Sequence, residues 1–116
     1  MRILFTMSSE KAVSVLFCTC PPAEAERLAG FLVENRHAAC VNIVPAVTSI
    51  YRWQGKVEKE GESLLVIKCP RDDVGELTAA LVKEHPYEVA AVVAVPVEEG
   101  NPPYLQWVVD SCRGDA

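Results

Sequence analysis

Ile50-Tyr51-Arg52-Trp53-Gln54-Gly55-Lys56-Val57-Glu58-Lys59-Glu60-Gly61-Glu62-Ser63-Leu64-Leu65-Val66-Ile67 is the stretch on which the architecture turns. Two strand-like segments flank a Gln54-Gly55 turn, one from about Cys40 to Trp53 and one from about Lys56 to Cys69. At about 3.3 Å per residue, an arm of about 14 residues spans more than about 40 Å. A compact domain of this length has a radius of gyration of only about 13–14 Å. The hairpin is therefore expected to overhang its own domain. Its tip then needs another chain, because long bare strand edges invite pairing. The expectation is an obligate oligomer built on interlocked hairpins.

The rest of the chain bounds the answer. Its 116 residues fit one domain, and 50% of them are hydrophobic, enough for a real core. A formal net charge of -5 argues against nucleic-acid backbones and anionic membranes as partners. No apolar run reaches the roughly 18 residues of a membrane span. The opening Met1-Arg2-Ile3-Leu4-Phe5-Thr6-Met7 is too short in apolar residues for a signal peptide. Residues 1–12 read as an N-terminal extension to a single domain over 13–113. Within it, Met7 begins a more ordinary leader, so 1–6 fit an upstream start. The cysteines are Cys18, Cys20, Cys40, Cys69 and Cys112, an odd number with no Cys-x-x-Cys. That usage points to reduced thiols in a cytoplasm.

Along the chain, Val13 to Cys20 is a β-branched and apolar run, stopped by Pro21-Pro22 at a helix start. Ala25, Leu28, Ala29 and Leu32 then follow one helical face. Ala39 to Trp53 is a second strand, in which Pro45 implies a bulge, bend or edge. The third strand is polar near the turn and apolar from Leu64 to Ile67. Asp73 with Glu76 has capping-box spacing, and Val74, Leu77, Thr78 and Leu81 give a second helical face. Val89 to Val97 reads as the fourth strand, and Asn101-Pro102-Pro103 opens a last helix. The order β-α-β-β-α-β plus a C-terminal helix predicts an α+β, ferredoxin-like sheet. Helices cover one face of such a sheet. Yet strand one is apolar on both faces: Val13, Val15 and Phe17 against Leu16, Cys18 and Cys20. A neighbouring subunit is the simplest cover for the second face.

Several residues have side chains suited to chemistry. Cys18 and Cys20 share one face of a strand end, where two thiolates can hold a soft ion such as Cu(I). Small buried hydrophobes are the plainer reading. His85 stands at a helix end, where it can cap carbonyls, and neutral imidazole is also a metal ligand. Glu58, Glu60 and Glu62 share a strand face. They read as a solvated edge guard, or as a carboxylate set for hard cations. Tyr51, Trp53, Tyr87, Tyr104 and Trp107 hold most of the aromatics and suit subunit-interface anchors or a pocket between subunits. There is no Gly-rich phosphate loop, nucleophile elbow or zinc-protease helix, so no enzymatic activity is expected. An acylphosphatase-like enzyme on the same fold lacks an evident phosphate-cradling loop here.

Several motifs in order carry a family likeness. They are Val15-Leu16-Phe17-Cys18-Thr19, His37-Ala38-Ala39-Cys40-Val41-Asn42, Ser49-Ile50-Tyr51-x-Trp53-x-Gly55-Lys56, Glu60-x-Glu62, His85-Pro86-Tyr87-Glu88 and Tyr104-Leu105-x-Trp107. From about Val13 to Cys112 the chain resembles the CutA divalent-cation tolerance family. The resemblance implies a ferredoxin-like homotrimer with long interlocking hairpins, PII-like in architecture. It also implies binding of copper or other divalent metal ions and a part in the response to them. Copper binding in the family is attributed to a strand-one Cys and a His pair before Pro-Tyr. Carried over, these fall on Cys18 and His85, while Glu84 holds the place of the first His. The implied metal set is Cys18, His85 and Glu84, with Cys20 as an added ligand. The alternative is a regulatory trimer binding a small metabolite or partner in inter-subunit clefts. Its candidate residues are Tyr51, Trp53, Glu62, Tyr87 and Trp107.

Overall fold

The computed structural model describes residues 12–114. Except for Ala12, the N-terminal extension lies outside the described residues. The elements are β1 (Val13–Cys20), α1 (Ala25–Glu34), β2 (Cys40–Trp53), β3 (Lys56–Pro70), α2 (Val74–Glu84), β4 (Val92–Pro96) and α3 (Pro102–Arg113). A single 3₁₀ turn precedes each of α1 and α2, at Pro22–Glu24 and Arg71–Asp73. The strands form one sheet in the order β2-β3-β1-β4, antiparallel at every pairing. This is the ferredoxin-like arrangement that the element order predicted.

Alternation along β1 sorts its side chains into two layers. Leu16, Cys18 and Cys20 join Leu65, Ile67 and Cys69 of β3 beneath α1 and α2. From the helices come Leu28, Leu32, Leu77 and Leu81, all fully buried. Burying each such leucine stabilises by about 1.5–3 kcal/mol relative to leaving it exposed. The opposite face is covered at one end only. There α3 lays Leu105, Val108 and Val109 against Val13. Beyond α3 the face stays open and apolar. Val93 is 61% exposed and Val95 47%, beside exposed Phe17 and Val44.

The hairpin arm sets the overall shape. β1 pairs with β3 only over Ser63 to Pro70, so the paired stretches Val47–Trp53 and Lys56–Glu62 have no third strand. The chain extends 56 × 30 × 22 Å, with a radius of gyration of 15.6 Å. A compact chain of about 100 residues has about 13 Å. At the tip Gln54 and Gly55 have φ of 49° and 82°. Positive φ at both central residues is what the mirror-image two-residue hairpin turn requires, and glycine takes it without cost.

Pro45 does interrupt β2, as a bulge. Val44 pairs with Leu64 but Val47 with Glu62, leaving Pro45 and Ala46 opposite Ser63 alone. The Ser63 hydroxyl donates to the Pro45 carbonyl at 2.9 Å and pins the extra residue. One extra residue inverts the alternation. Val44, Val47, Ser49, Tyr51 and Trp53 therefore share one face, with Glu58, Glu60 and Glu62 across from them.

Some local expectations are corrected. The fourth strand begins at Val92, not Val89. The segment before it is held by the His85–Tyr87 contacts described below. Asp73 makes no side-chain cap on α2; its carboxylate accepts from Arg113 Nη1 at 2.8 Å and ties α3 to the body. Asn101 likewise caps α3 through its carbonyl rather than its side chain. Among the described residues no helix is long and apolar enough to cross a membrane.

Candidate functional site

The inverted alternation brings the arm's aromatic face over the segment that follows α2. Between them lies a cleft of about 610 Å³. The arm supplies Tyr51, Trp53, Glu58, Glu60 and Glu62, and the body supplies Thr19, Pro86, Tyr87 and Glu88. Of the five residues expected at a cleft between subunits, Tyr51, Trp53, Glu62 and Tyr87 line this cleft, which lies within one chain. Trp107 is not among the lining residues. It stacks on Tyr104 within α3, ring centroids 5.6 Å apart.

Two tyrosine–carboxylate pairs organise the walls. The Tyr51 hydroxyl donates to Glu60 Oε1 at 2.6 Å, and the Tyr87 hydroxyl to Glu62 Oε2 at 2.8 Å. The hydrogen bond to Glu60 pushes the Tyr51 phenol up to about 12, with burial adding to it. Burial, then the bond to Glu62, pushes the Tyr87 phenol well above its ordinary value. Both therefore stay protonated as donors at neutral pH. Glu62 is only 5% exposed. Among the described residues no cation pairs with it, and its Oε1 accepts no hydrogen bond.

His85 positions one wall. Its Nδ1 accepts from the Tyr87 backbone N–H at 3.1 Å, so the proton sits on Nε2, which donates to the Thr19 carbonyl at 2.9 Å. The imidazole also packs on the Tyr87 ring, centroids 4.7 Å apart. The ring thus ties the turn after α2 to the end of β1 and aims Tyr87 at Glu62. The capping reading anticipated a carbonyl acceptor; that acceptor lies on a strand, not on the helix.

The four residues of the implied metal set sit otherwise. Cys18 and His85 do meet, but on a shared acceptor: the Cys18 thiol also points at the Thr19 carbonyl, at 3.5 Å. Cys18 and Cys20 are fully buried. Burial first, then Cys20 and Glu62, pushes the Cys18 thiol up to about 12. Cys20 is raised too, chiefly by burial. Metal ligation needs thiolates and a free imidazole lone pair. Here the thiols hold their protons and both imidazole nitrogens are engaged. Glu84 turns away to Arg27, whose Nη1 lies 3.0 Å from Glu84 Oε1 and whose Nη2 donates to the Glu84 carbonyl. As they stand, these donors do not fit a metal ion. Among the described residues no group of three or more His, Cys, Asp or Glu converges to hold one.

Comparison with known proteins bears on this arrangement. Residues 14–111 match the family model described as CutA1 divalent ion tolerance protein. "Protein CutA" of Mus musculus is 52% identical over 98 residues, covering 84% of this chain and 55% of its own length. The chain thus spans about half the length of that relative. The divalent-cation tolerance protein CutA of Thermus thermophilus is 47% identical over 95 residues, covering 81% of this chain and 92% of its own. Among solved structures, CutA1 from Oryza sativa superposes with a TM-score of 0.85 at 39% identity, covering 90% of this chain and 96% of its own. None of these descriptions names a catalytic activity.

Proposed function

Since the chain belongs to the CutA1 divalent ion tolerance protein family, we propose that it works as a homotrimeric binding protein without catalytic turnover, its ligand seated in the cleft between arm and body. The observation that carries this reading is Glu62, a buried carboxylate without a cationic partner among the described residues, lining a cavity walled by aromatic rings. Pockets of this size suit small metabolites. Two features support assembly: the open apolar face around Phe17, Val93 and Val95, and an arm with no third strand. Exposed apolar patches and bare strand edges both call for a partner surface. Five free cysteines support a reducing, cytoplasmic setting. The test is a thermal-shift screen of metabolites on metal-free protein, with native mass spectrometry beside it. Ligands that raise the melting temperature of the parent but not of Trp53→Leu support the reading. A folded monomer at micromolar protein, with no ligand found, overturns it.

The family description favours a second reading, in which copper or another divalent ion is the ligand and Cys18, His85, Glu84 and Cys20 hold it. That set requires a rearrangement, with His85 releasing the Tyr87 N–H and Glu84 releasing Arg27. Calorimetry with copper and zinc on reduced, chelator-stripped protein decides it. Stoichiometric binding lost in a Cys18→Ser, His85→Ala double variant supports this set. Weak binding, equal in both proteins, leaves the cleft as the site.

A further inference from the structure

The cleft's lining narrows its ligand by charge. Its charged side chains are Glu58, Glu60, Glu62 and Glu88, and among the described residues no Lys, Arg or His lines it. An anion entering it meets a lining whose only charges are negative. Glu62 adds a specific demand. Carboxylates this buried are ordinarily paired with a cation or saturated by donors. Here one neutral hydroxyl, from Tyr87, reaches Oε2, while Oε1 accepts no hydrogen bond among the described residues and is open to the cleft rather than sealed. The aromatic walls narrow the class again. Trp53 stays 41% exposed and Tyr51 37% although both line a cavity. Rings held open beside carboxylates attract a cation over their faces, and most strongly an organic one that also buries apolar surface. A bare metal ion would use the carboxylates alone, and no carboxylate cluster suited to one is present among the described residues. Glu58, Glu60 and Glu62 alternate along one face of β3, which spaces them by roughly 6–7 Å. That spacing suits positive groups carried along an extended aliphatic chain.

We propose that the cleft binds an organic cation, a protonated amine or guanidinium on an aliphatic body, with Glu62 as its charge partner and Trp53, Tyr51 and Tyr87 as its walls. This rests on the cleft reading above and goes further by naming the ligand's charge and class. The long-range field agrees with it, since a net charge of -5 draws cations toward the chain.

The test uses the full chain and compounds matched in length. Calorimetry at fixed ionic strength compares 1,4-diaminobutane and agmatine with neutral 1,4-butanediol, anionic succinate and magnesium ion. Saturable binding of the two amines is expected, with none of the diol or succinate. A charge-assisted hydrogen bond contributes about 1.5–3 kcal/mol, so Glu62→Gln should weaken amine binding roughly tenfold to a hundredfold. Trp53→Leu, on the arm and outside the core, should also weaken it, and carries the test together with Glu58→Gln if Glu62→Gln does not fold. Preference for the diol or succinate, with the same dependence on Trp53, overturns the cationic assignment and leaves the cleft reading standing. Magnesium competing with the amines at equal concentration also overturns it, by reducing the site to unspecific acidity. No binding by any compound overturns both.

Discussion

Replacing Tyr87 by Phe removes one oxygen atom and tests the central feature of the cleft. The Tyr87 hydroxyl is the donor to Glu62 Oε2, at 2.8 Å, and Glu62 is 5% exposed. Without it the carboxylate keeps its burial and loses its only described donor. Hydrogen bonds to charged groups contribute about 1.5–3 kcal/mol, so a loss of about 2 kcal/mol is expected. In a domain of about 100 residues, that lowers the melting temperature by roughly 10 °C. Glu62→Gln should cost less, because a neutral amide tolerates burial better than an unpaired charge. In the double variant the two losses should fail to add, with a coupling of about 1–2 kcal/mol. The assay is guanidinium denaturation of all four proteins at one protein concentration. pH gives an independent reading. The Tyr87 phenol is raised in the folded state, so its contribution is full below the unfolded value of about 10 and is lost as pH climbs through the folded one. The parent should therefore lose stability above about pH 10 more steeply than Tyr87→Phe. A Tyr87→Phe protein within about 0.5 kcal/mol of the parent, with no coupling to Glu62→Gln, would refute the claim that this bond organises the wall.

Other outcomes follow from the same geometry. Burial pushes the Cys18 and Cys69 thiols up to about 12 and Cys112 up to about 11. At pH 8 no more than one thiol per folded chain, Cys40, should react rapidly with a disulfide reagent, and all of them once unfolded; more than one fast thiol in the folded protein contradicts this. Inserting one residue between Glu62 and Ser63 pairs off the bulge and turns Tyr51 and Trp53, with the glutamates opposite them, to the other face. Ligand binding in the cleft should vanish while far-ultraviolet dichroism persists, and retained binding refutes the parity argument. Val93→Asp places a charge on the open apolar face. If that face is where copies meet, native mass spectrometry should show the trimer lost; an unchanged trimer puts the interface elsewhere.

Much of the fold was legible because short-range periodicity dictates it. Alternation placed Leu16, Cys18 and Cys20 on one layer, and helical spacing picked out Leu28, Leu32, Leu77 and Leu81. Gln54-Gly55 marked the hairpin, and Pro45 marked a break in β2. What stayed hidden depends on partners far apart in sequence. Arg27 claims Glu84 across 57 positions and Arg113 claims Asp73 across 40, and no local spacing announces either. The apolar run from Val89 reads as strand, yet strand begins at Val92 because the preceding turn belongs to His85 and Tyr87. The site was half legible. Tyr51, Trp53, Glu62 and Tyr87 were named from their types, but Trp107 was grouped with them by type alone. The role of His85 as a brace was hidden, since its acceptor, the Thr19 carbonyl, lies 66 residues away.

The arm without a third strand has a thermodynamic consequence. One wall of the cleft rides on a two-stranded ribbon and the other on the closed body of the domain. Isolated two-stranded ribbons are marginally stable in water, so the arm opens more readily than the four-stranded body. Anything that touches both walls draws part of its binding free energy from holding the ribbon shut. By reciprocity, anything that steadies the ribbon, a second copy included, tightens the cleft by the same factor. Occupancy and assembly are then two readings of one equilibrium, and amide hydrogen exchange along Val47–Glu62 is where both would register.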